Sequence, residues 1–288
     1  MVEKIGTDGR SQIRRRAGPR LWLSAIWLGL LLLGALLAPW IAPQDPLAQD
    51  LFLGRLPPVW MQGAEPGFYL GTDSLGRDVL SRILYGARLA LIVAIVAGSV
   101  TCLIGATLGL MAGFLRGWVD VVISRAIDIW MAFPPVLFSI LLIAVMGPGL
   151  VSIILAIVVI DWTRFARVVR AEAMAQGAMD YVASAQVAGR SRLSTMFTEI
   201  LPNVLPTIIV LLTLEMGIAV IVEAILSFVN LSISTDDPTW GGMIAEGRTS
   251  IHQAWWVLVF PLATLFLTVL SFSQLGEGLK DRFDPVLR

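Results

Sequence analysis

Four stretches, Leu21–Ala42, Leu89–Leu115, Ile129–Ile160 and Gln253–Gly276, run for 22, 27, 32 and 24 residues without one charged side chain. A helix needs about 20 largely apolar residues to cross a bilayer, so each stretch is long enough. The 32-residue stretch is broken by Gly147-Pro148-Gly149, a tight turn between two spans. The second of these must continue past Asp161 to about Val169. A further segment, Ile200–Ser232, is apolar except for Glu215 and Glu223. Six spans result. Lipid offers backbone N–H and C=O groups no partners, which leaves helices or closed barrels. No alternation of period two appears, so the chain reads as an all-α polytopic membrane protein with six transmembrane helices. A charged fraction of 15% and a mean hydropathy of +0.80 agree with this.

Basic residues orient the spans. With the N-terminus inside, cytoplasmic segments hold fifteen Lys and Arg residues, among them Lys4, Arg10, Arg14, Arg15, Arg16, Arg20, Arg164, Arg167, Arg170, Arg190 and Arg192. External segments hold five: Arg55, Arg77, Arg82, Arg88 and Arg248. Both termini and the 170–202 loop are therefore expected in the cytoplasm. The first apolar run exceeds the usual core of a signal peptide and no small-x-small site follows it, so an uncleaved anchor is expected. The organisation expected is a basic tail (1–20), a first helix (21–42), an external segment (43–88), a five-helix core (89–276) and a C-terminal tail (277–288). The external segment is Pro-rich early; from Asp78 to Arg88 it reads as an amphipathic helix whose Val79, Ile83 and Leu84 could lie on the membrane surface.

Several classes are disfavoured. With one histidine (His252) and one cysteine (Cys102), neither a metal centre nor an intramembrane enzyme is expected. No GxxxxGK[ST] loop is present, so ATP and Mg would have to be held by another subunit, and no cofactor is expected in this chain. Nothing points to nucleic acid. Ionisable residues at membrane depth cost roughly 2.5–3.5 kcal/mol each on insertion scales. Arg125 with Asp128 and Asp161 with Arg164 are one turn apart and can neutralise each other. Glu215 and Glu223, about 12 Å apart on one face, have no basic residue in their own span and are candidates for a translocation path. Ala97, Thr101, Gly105, Gly109 and Gly113 form a stripe that lets a neighbouring helix approach closely. Tryptophans 22, 40, 60, 118, 240, 255 and 256 are expected as an interfacial belt.

The 170–202 loop contains DYVASAQVAGRSRLSTMFTEILPN between Asp180 and Asn203. Helix formers run up to Ala188; Gly189 suits a helix C-cap or a close backbone approach, and Pro202 suits the start of the next span. Ala183-Ser184-Ala185, Gly189 and Leu201-Pro202 resemble the coupling loop of ABC-importer permeases, whose pattern is Glu-Ala-Ala, three residues, Gly, nine residues, Ile, one residue, Leu-Pro. Ala183, Ser184 and Glu199 depart from it. Asp180-Tyr181-Val182 is similar to the peptide and nickel branch. So is the external stretch from Leu70 through Asp73, Gly76, Arg77, Asp78 and Arg82 to Arg88, where Asp73 and Asp78 can pair with Arg77 and Arg82 at i, i+4 spacings. Glu223–Phe228 followed by Pro238-Thr239-Trp240-Gly241 also fits, with Asn230 and Ser232 where that family commonly has glycine. The ending Leu279–Pro285 fits as well.

The resemblance, to the second (C-type) permease of dipeptide, oligopeptide and nickel importers, covers about residues 20–288. It implies the type I ABC-importer permease fold in a bacterial inner membrane. It also implies a second homologous permease, two ABC ATPase subunits on the cytoplasmic side and a periplasmic or external solute-binding protein. Asp180, Tyr181, Val182, Ala185, Gly189, Arg190, Leu201 and Pro202 would then form the ATPase-coupling loop. Di- or oligopeptides are the cargo implied, with nickel, glutathione or an oligosaccharide as alternatives. A proton-coupled secondary transporter using Asp161, Glu215 and Glu223 as relays is the rival class; it predicts an internal repeat, and none is visible.

Overall fold

The protein is described by a computed structural model covering residues 19–231 and 237–283. Lys4, Arg10, Arg14, Arg15, Arg16, Ser232, Asp284, Pro285 and Arg288 lie outside the described residues. The helices are α1 (Pro19–Ile41), α2 (Val79–Leu115), α3 (Gly117–Met131), α4 (Pro135–Met146), α5 (Leu150–Gln176), α6 (Asp180–Val187), α7 (Arg192–Thr195), α8 (Leu201–Phe228), α9 (Trp240–Ser250) and α10 (Trp256–Phe283). Four spans pass on length and composition alone: α1, α2, the continuous run Arg192–Phe228, and α10. The pair α3 and α4, bent by 86° at a short break, makes a fifth if it is one span. The 27 residues of α5 bring the count to the six expected from the sequence, although α5 carries Asp161, Arg164 and Arg167.

Three boundaries differ from the sequence reading. The segment Asp78–Arg88 is no separate surface helix: it is the first turns of α2, which is 37 residues long. Val79 and Ile83 are buried against Met243, Ala254, Trp256 and Val257, so they face protein and not a membrane surface. The apolar stretch from Ile129 is not one straight helix: α3 ends at Met131 and α4 starts at Pro135, with an elbow near Pro134 and Pro135, where a proline lacks the N–H needed to continue the helical ladder. Pro202 stands in the first turn of α8, as expected, but the helical run does not begin there. The proline lies inside a helix that already runs from Arg192, just after a π-turn at Met196–Ile200 in which Leu201 N–H reaches back five residues to Met196 O. The wider π-turn gives room for the ring, which would otherwise press on the carbonyl four residues earlier.

The small-residue stripe of α2 packs on α5. A Cβ at Gly105 would strike Phe165 and the Trp162 carbonyl; one at Gly109 would sit 2.7 Å from Ala166 O and 2.9 Å from Val169 Cβ. At Gly113 it would meet Arg170 O and Ala173. Without side chains on that face, backbone meets backbone, and the dispersion gained takes the place of the hydrophobic effect that lipid does not supply. α1 packs more loosely on α2 and α10, and its Trp22, Leu30, Leu33 and Leu36 stay exposed, as a lipid-facing helix requires.

Gly109→Val should destabilise the detergent-solubilised protein by about 1–3 kcal/mol through overpacking, read as a lower melting temperature. Gly29→Ala, where a Cβ meets nothing within 4 Å, should leave melting unchanged.

Candidate functional site

Three regions carry the residues singled out by the sequence. The first is the external end of α2. Gly76 turns with φ +76°, and a Cβ there would strike the Asp50 carbonyl. This turn points Asp73 inward: its Oδ1 accepts from Leu75 N–H (2.8 Å) and Arg77 N–H (3.0 Å), and its Oδ2 accepts from Arg77 Nε at 2.6 Å. Arg77 Nη2 spans to both carboxylate oxygens of Glu246 in α9, at 2.7 and 2.8 Å. Arg82 lies 3.8 Å from Asp73 and 3.7 Å from the same Glu246. Asp78 caps α2, accepting from Ser81 N–H at 2.7 Å.

The i, i+4 spacing anticipated the Asp73–Arg77 pair. Asp73, Arg77, Asp78 and Arg82 are each 1% exposed, while the Glu246 side chain is 31% exposed. Burial works against the Arg77 cation, yet Asp73 and Glu246 outweigh it and raise its pKa above the usual arginine value. Burial pushes the Asp78 carboxyl upward, against the hydrogen bonds from Ser81. Glu246 escaped the sequence reading because it is 169 residues from its partner. Trp240 and Trp256 depart from the expected belt. Both are buried, and their indole N–H groups donate to Ile83 O (3.1 Å) and Thr72 O (3.0 Å). Trp22, Trp40, Trp60 and Trp118 are exposed as a belt requires. Arg88 is exposed on α2, away from the cluster's buried centre.

The second region is the loop at the other end of α2. α6 ends in a Schellman motif: Gly189 N–H donates to Gln186 O (3.0 Å) and Arg190 N–H to Ala185 O (3.2 Å), with Gly189 at φ +85°. The C-cap expectation for Gly189 is met. A close approach by this chain's own backbone is not, because nothing lies within 4 Å of a Cβ built there. Arg190 Nη1 fastens the turn to Thr198 and Glu199, both at 2.7 Å. Tyr181 donates to Gln176 Oε1 at 2.8 Å, and burial followed by the Glu199 charge raises its pKa. Val182 is buried in one core with Leu110, Phe165, Val169, Met196, Ile200 and Val204, while Leu201 packs at its edge. α6 is thus keyed by one side to α2, α5 and α8. Its other side is open: Asp180 is exposed, Val187 is 90% exposed and Pro202 lies at the surface nearby.

The third region lies within the spans. Glu215 and Glu223 are 2% and 1% exposed, so in this structure neither opens onto solvent. Ser227 Oγ donates to Glu223 Oε1. A basic partner for Glu215 comes from another helix, Arg164 Nη1 of α5 at 3.8 Å. Arg164 also lies 3.5 Å from Asp161, the pairing expected from their spacing. Asp128 is shared between Arg125 at 3.9 Å and Arg167 at 3.4 Å.

The structure is thus a bundle of hydrophobic helices, held at one rim by buried ion pairs and carrying at the other a helix packed on one side and exposed on the other. The chain belongs to the family described as binding-protein-dependent transport system inner membrane component, whose model matches residues 105–288. A model for the N-terminal transmembrane domain of oligopeptide transport permease C matches residues 16–58. It is 38% identical over 263 residues (91% of this chain, 87% of the relative) to a di/tripeptide transport system permease of Pseudomonas aeruginosa. Identity is 37% to a dipeptide transport system permease of Haemophilus influenzae, covering 92% of this chain and 90% of that protein. Against a glutathione transport system permease of Pectobacterium atrosepticum it is 39%, covering 79% and 75%. The protein is accordingly a multi-pass component of an inner membrane.

Arg77→Ala should destabilise the subunit by about 3–5 kcal/mol, since it strands the buried Asp73 carboxylate. Glu246→Gln, partly exposed and keeping its hydrogen-bond acceptor, should cost less, about 1–3 kcal/mol. Thermal melts of both variants and of the double variant check this; additivity of the two losses would show that the pair is not coupled.

Proposed function

We propose that this chain is one of two homologous permease subunits of an ATP-driven importer of di- and oligopeptides. Two ABC ATPase subunits bind ATP and Mg on the cytoplasmic side, and an external solute-binding protein delivers the cargo. The observation that carries this reading is α6, seated through Val182 in the core shared by α2, α5 and α8 while Val187 projects outward. A push on its free face by a docked ATPase is delivered to three spans at once, because packed cores shift as bodies and do not deform continuously. The loop residues Asp180, Tyr181, Val182, Ala185, Gly189, Arg190, Leu201 and Pro202 then couple ATP-driven closure to alternating access. The distribution of basic residues supports cytoplasmic termini.

Peptide as cargo is supported by the names of the di/tripeptide and dipeptide relatives. The glutathione relative supports a second reading, a γ-linked tripeptide as cargo. Uptake of labelled di- to pentapeptides and of glutathione into proteoliposomes holding the full assembly, with and without internal ATP, decides between them. Accumulation requiring ATP and the binding protein is expected for unmodified peptides. Hydrolysis stimulated by the binding protein without peptide accumulation would overturn the cargo and leave the architecture standing.

Val187→Asp alters only the exposed face of α6. It should leave the melting temperature of the isolated subunit unchanged and cut peptide uptake at least fivefold, about the effect of losing one buried apolar contact at a docking surface. Normal uptake by this variant would remove α6 from the docking surface. Gly189→Asn, which tolerates positive φ, should retain more uptake than Gly189→Val.

A further inference from the structure

α6 is fastened to the spans at both of its ends. At the start, Tyr181 donates to Gln176 Oε1 at the end of α5, at 2.8 Å, and Val182 is buried in the core shared with α2, α5 and α8. Beyond the end, in the Schellman turn, Arg190 Nη1 donates to Thr198 Oγ1 and to Glu199 Oε1, both at 2.7 Å. Glu199 belongs to the π-turn Met196–Ile200. That turn is braced by Asn203 Nδ2, which donates to Glu199 O at 2.7 Å, and by Thr198 Oγ1, which donates to Ser194 O at 2.9 Å. A π-turn holds one residue more than an α-turn, so a helix can release about 1.5 Å of rise and about 100° of twist there without breaking. Glu199 also stands where the importer-permease pattern has isoleucine, so a charge here takes the place of an apolar side chain.

We propose that Arg190 and Glu199 form a strut that carries displacement of α6 into the π-turn at the head of α8. This rests on the reading of α6 as the ATPase-docking helix and names how its movement reaches one span. Held at Tyr181 and Val182 alone, α6 would pivot about that end when pushed, and its far end would swing free. The second fastening removes the pivot: α6 moves as a rung, and Glu199 moves with it. The pull falls on the one turn of this helix that has a residue to spare, so it rotates α8 without unwinding the turns on either side. Both are positioning residues, acting on transport through α8. The pair is part-exposed, 48% at Arg190 and 29% at Glu199, so it adds little to stability and its contribution is to geometry.

The test measures labelled dipeptide imported per ATP hydrolysed by the full assembly in proteoliposomes, with the melting temperature of each variant alongside. Glu199→Arg and Arg190→Glu each set like charges against one another. Either change should lower the ratio about twofold to thirtyfold, the range by which residues between coupled sites alter coupling, and leave melting little changed. The double variant, Arg190→Glu with Glu199→Arg, restores the pair with its charges exchanged and should recover about half or more of the wild-type ratio. Where a reversed single does not assemble, Glu199→Gln decides, since it keeps the shape and removes the charge; its ratio should fall about twofold or more. An unchanged ratio in these variants overturns the strut, as does a double variant no better than the worse single. That second outcome is the one expected if Arg190 meets the ATPase directly and has no need of Glu199. Failure of the docking reading would show separately, as normal uptake by Val187→Asp, and would take the strut with it.

Discussion

The seam between α2 and α5 is the contact on which the rest of the molecule depends. Gly105, Gly109 and Gly113 bring the α2 backbone against Trp162, Ala166 and Arg170 of α5, closer than any side chain would permit. In lipid there is no hydrophobic effect to press helices together, so close van der Waals contact along such a stripe has to hold them. Everything that could move or bind is fixed relative to this pair. The α3–α4 elbow lies against α5, α6 is keyed beneath both through Val182, and the ionic cluster crowns the start of α2.

Polar groups are placed at the two ends and the middle for different physical reasons. At the external rim, Asp73, Arg77, Arg82 and Glu246 are deeply or partly buried and satisfy one another across 169 residues of sequence. Removing one member strands the others, so such a cluster specifies one arrangement more than it adds stability. Midway along the bundle, Arg164 stands 3.5 Å from Asp161 and 3.8 Å from Glu215, joining α5 to α8. At the α6 end, the exposed side chains leave a surface free for a partner.

Much of this was legible in the residues. The apolar stretches gave the helices, the turn at Gly147-Pro148-Gly149 is where α4 ends and α5 begins, and the stripe at intervals of four predicted a close packing face. Gly189 as a helix cap followed from its place after an Ala-rich run, and the Schellman hydrogen bonds bear it out. Local spacing failed where the outcome depended on what a segment packs against. Val79 and Ile83 have the pattern of a surface helix, but α9 and α10 cover them. Trp240 and Trp256 have the composition of interfacial anchors, yet backbone carbonyls of Ile83 and Thr72 claim their N–H groups.

The sequence by itself determined that this chain is a helical membrane protein of the importer-permease kind, because span length, uncharged runs and the loop motif are properties of contiguous residues. Only the tertiary structure decided that Glu246 answers Arg77, that Arg164 stands between Asp161 and Glu215, and that α3 and α4 meet at 86°. Those facts join residues from different helices. Charge pairing across helices follows from how the backbones pack, and no periodicity within one helix encodes it.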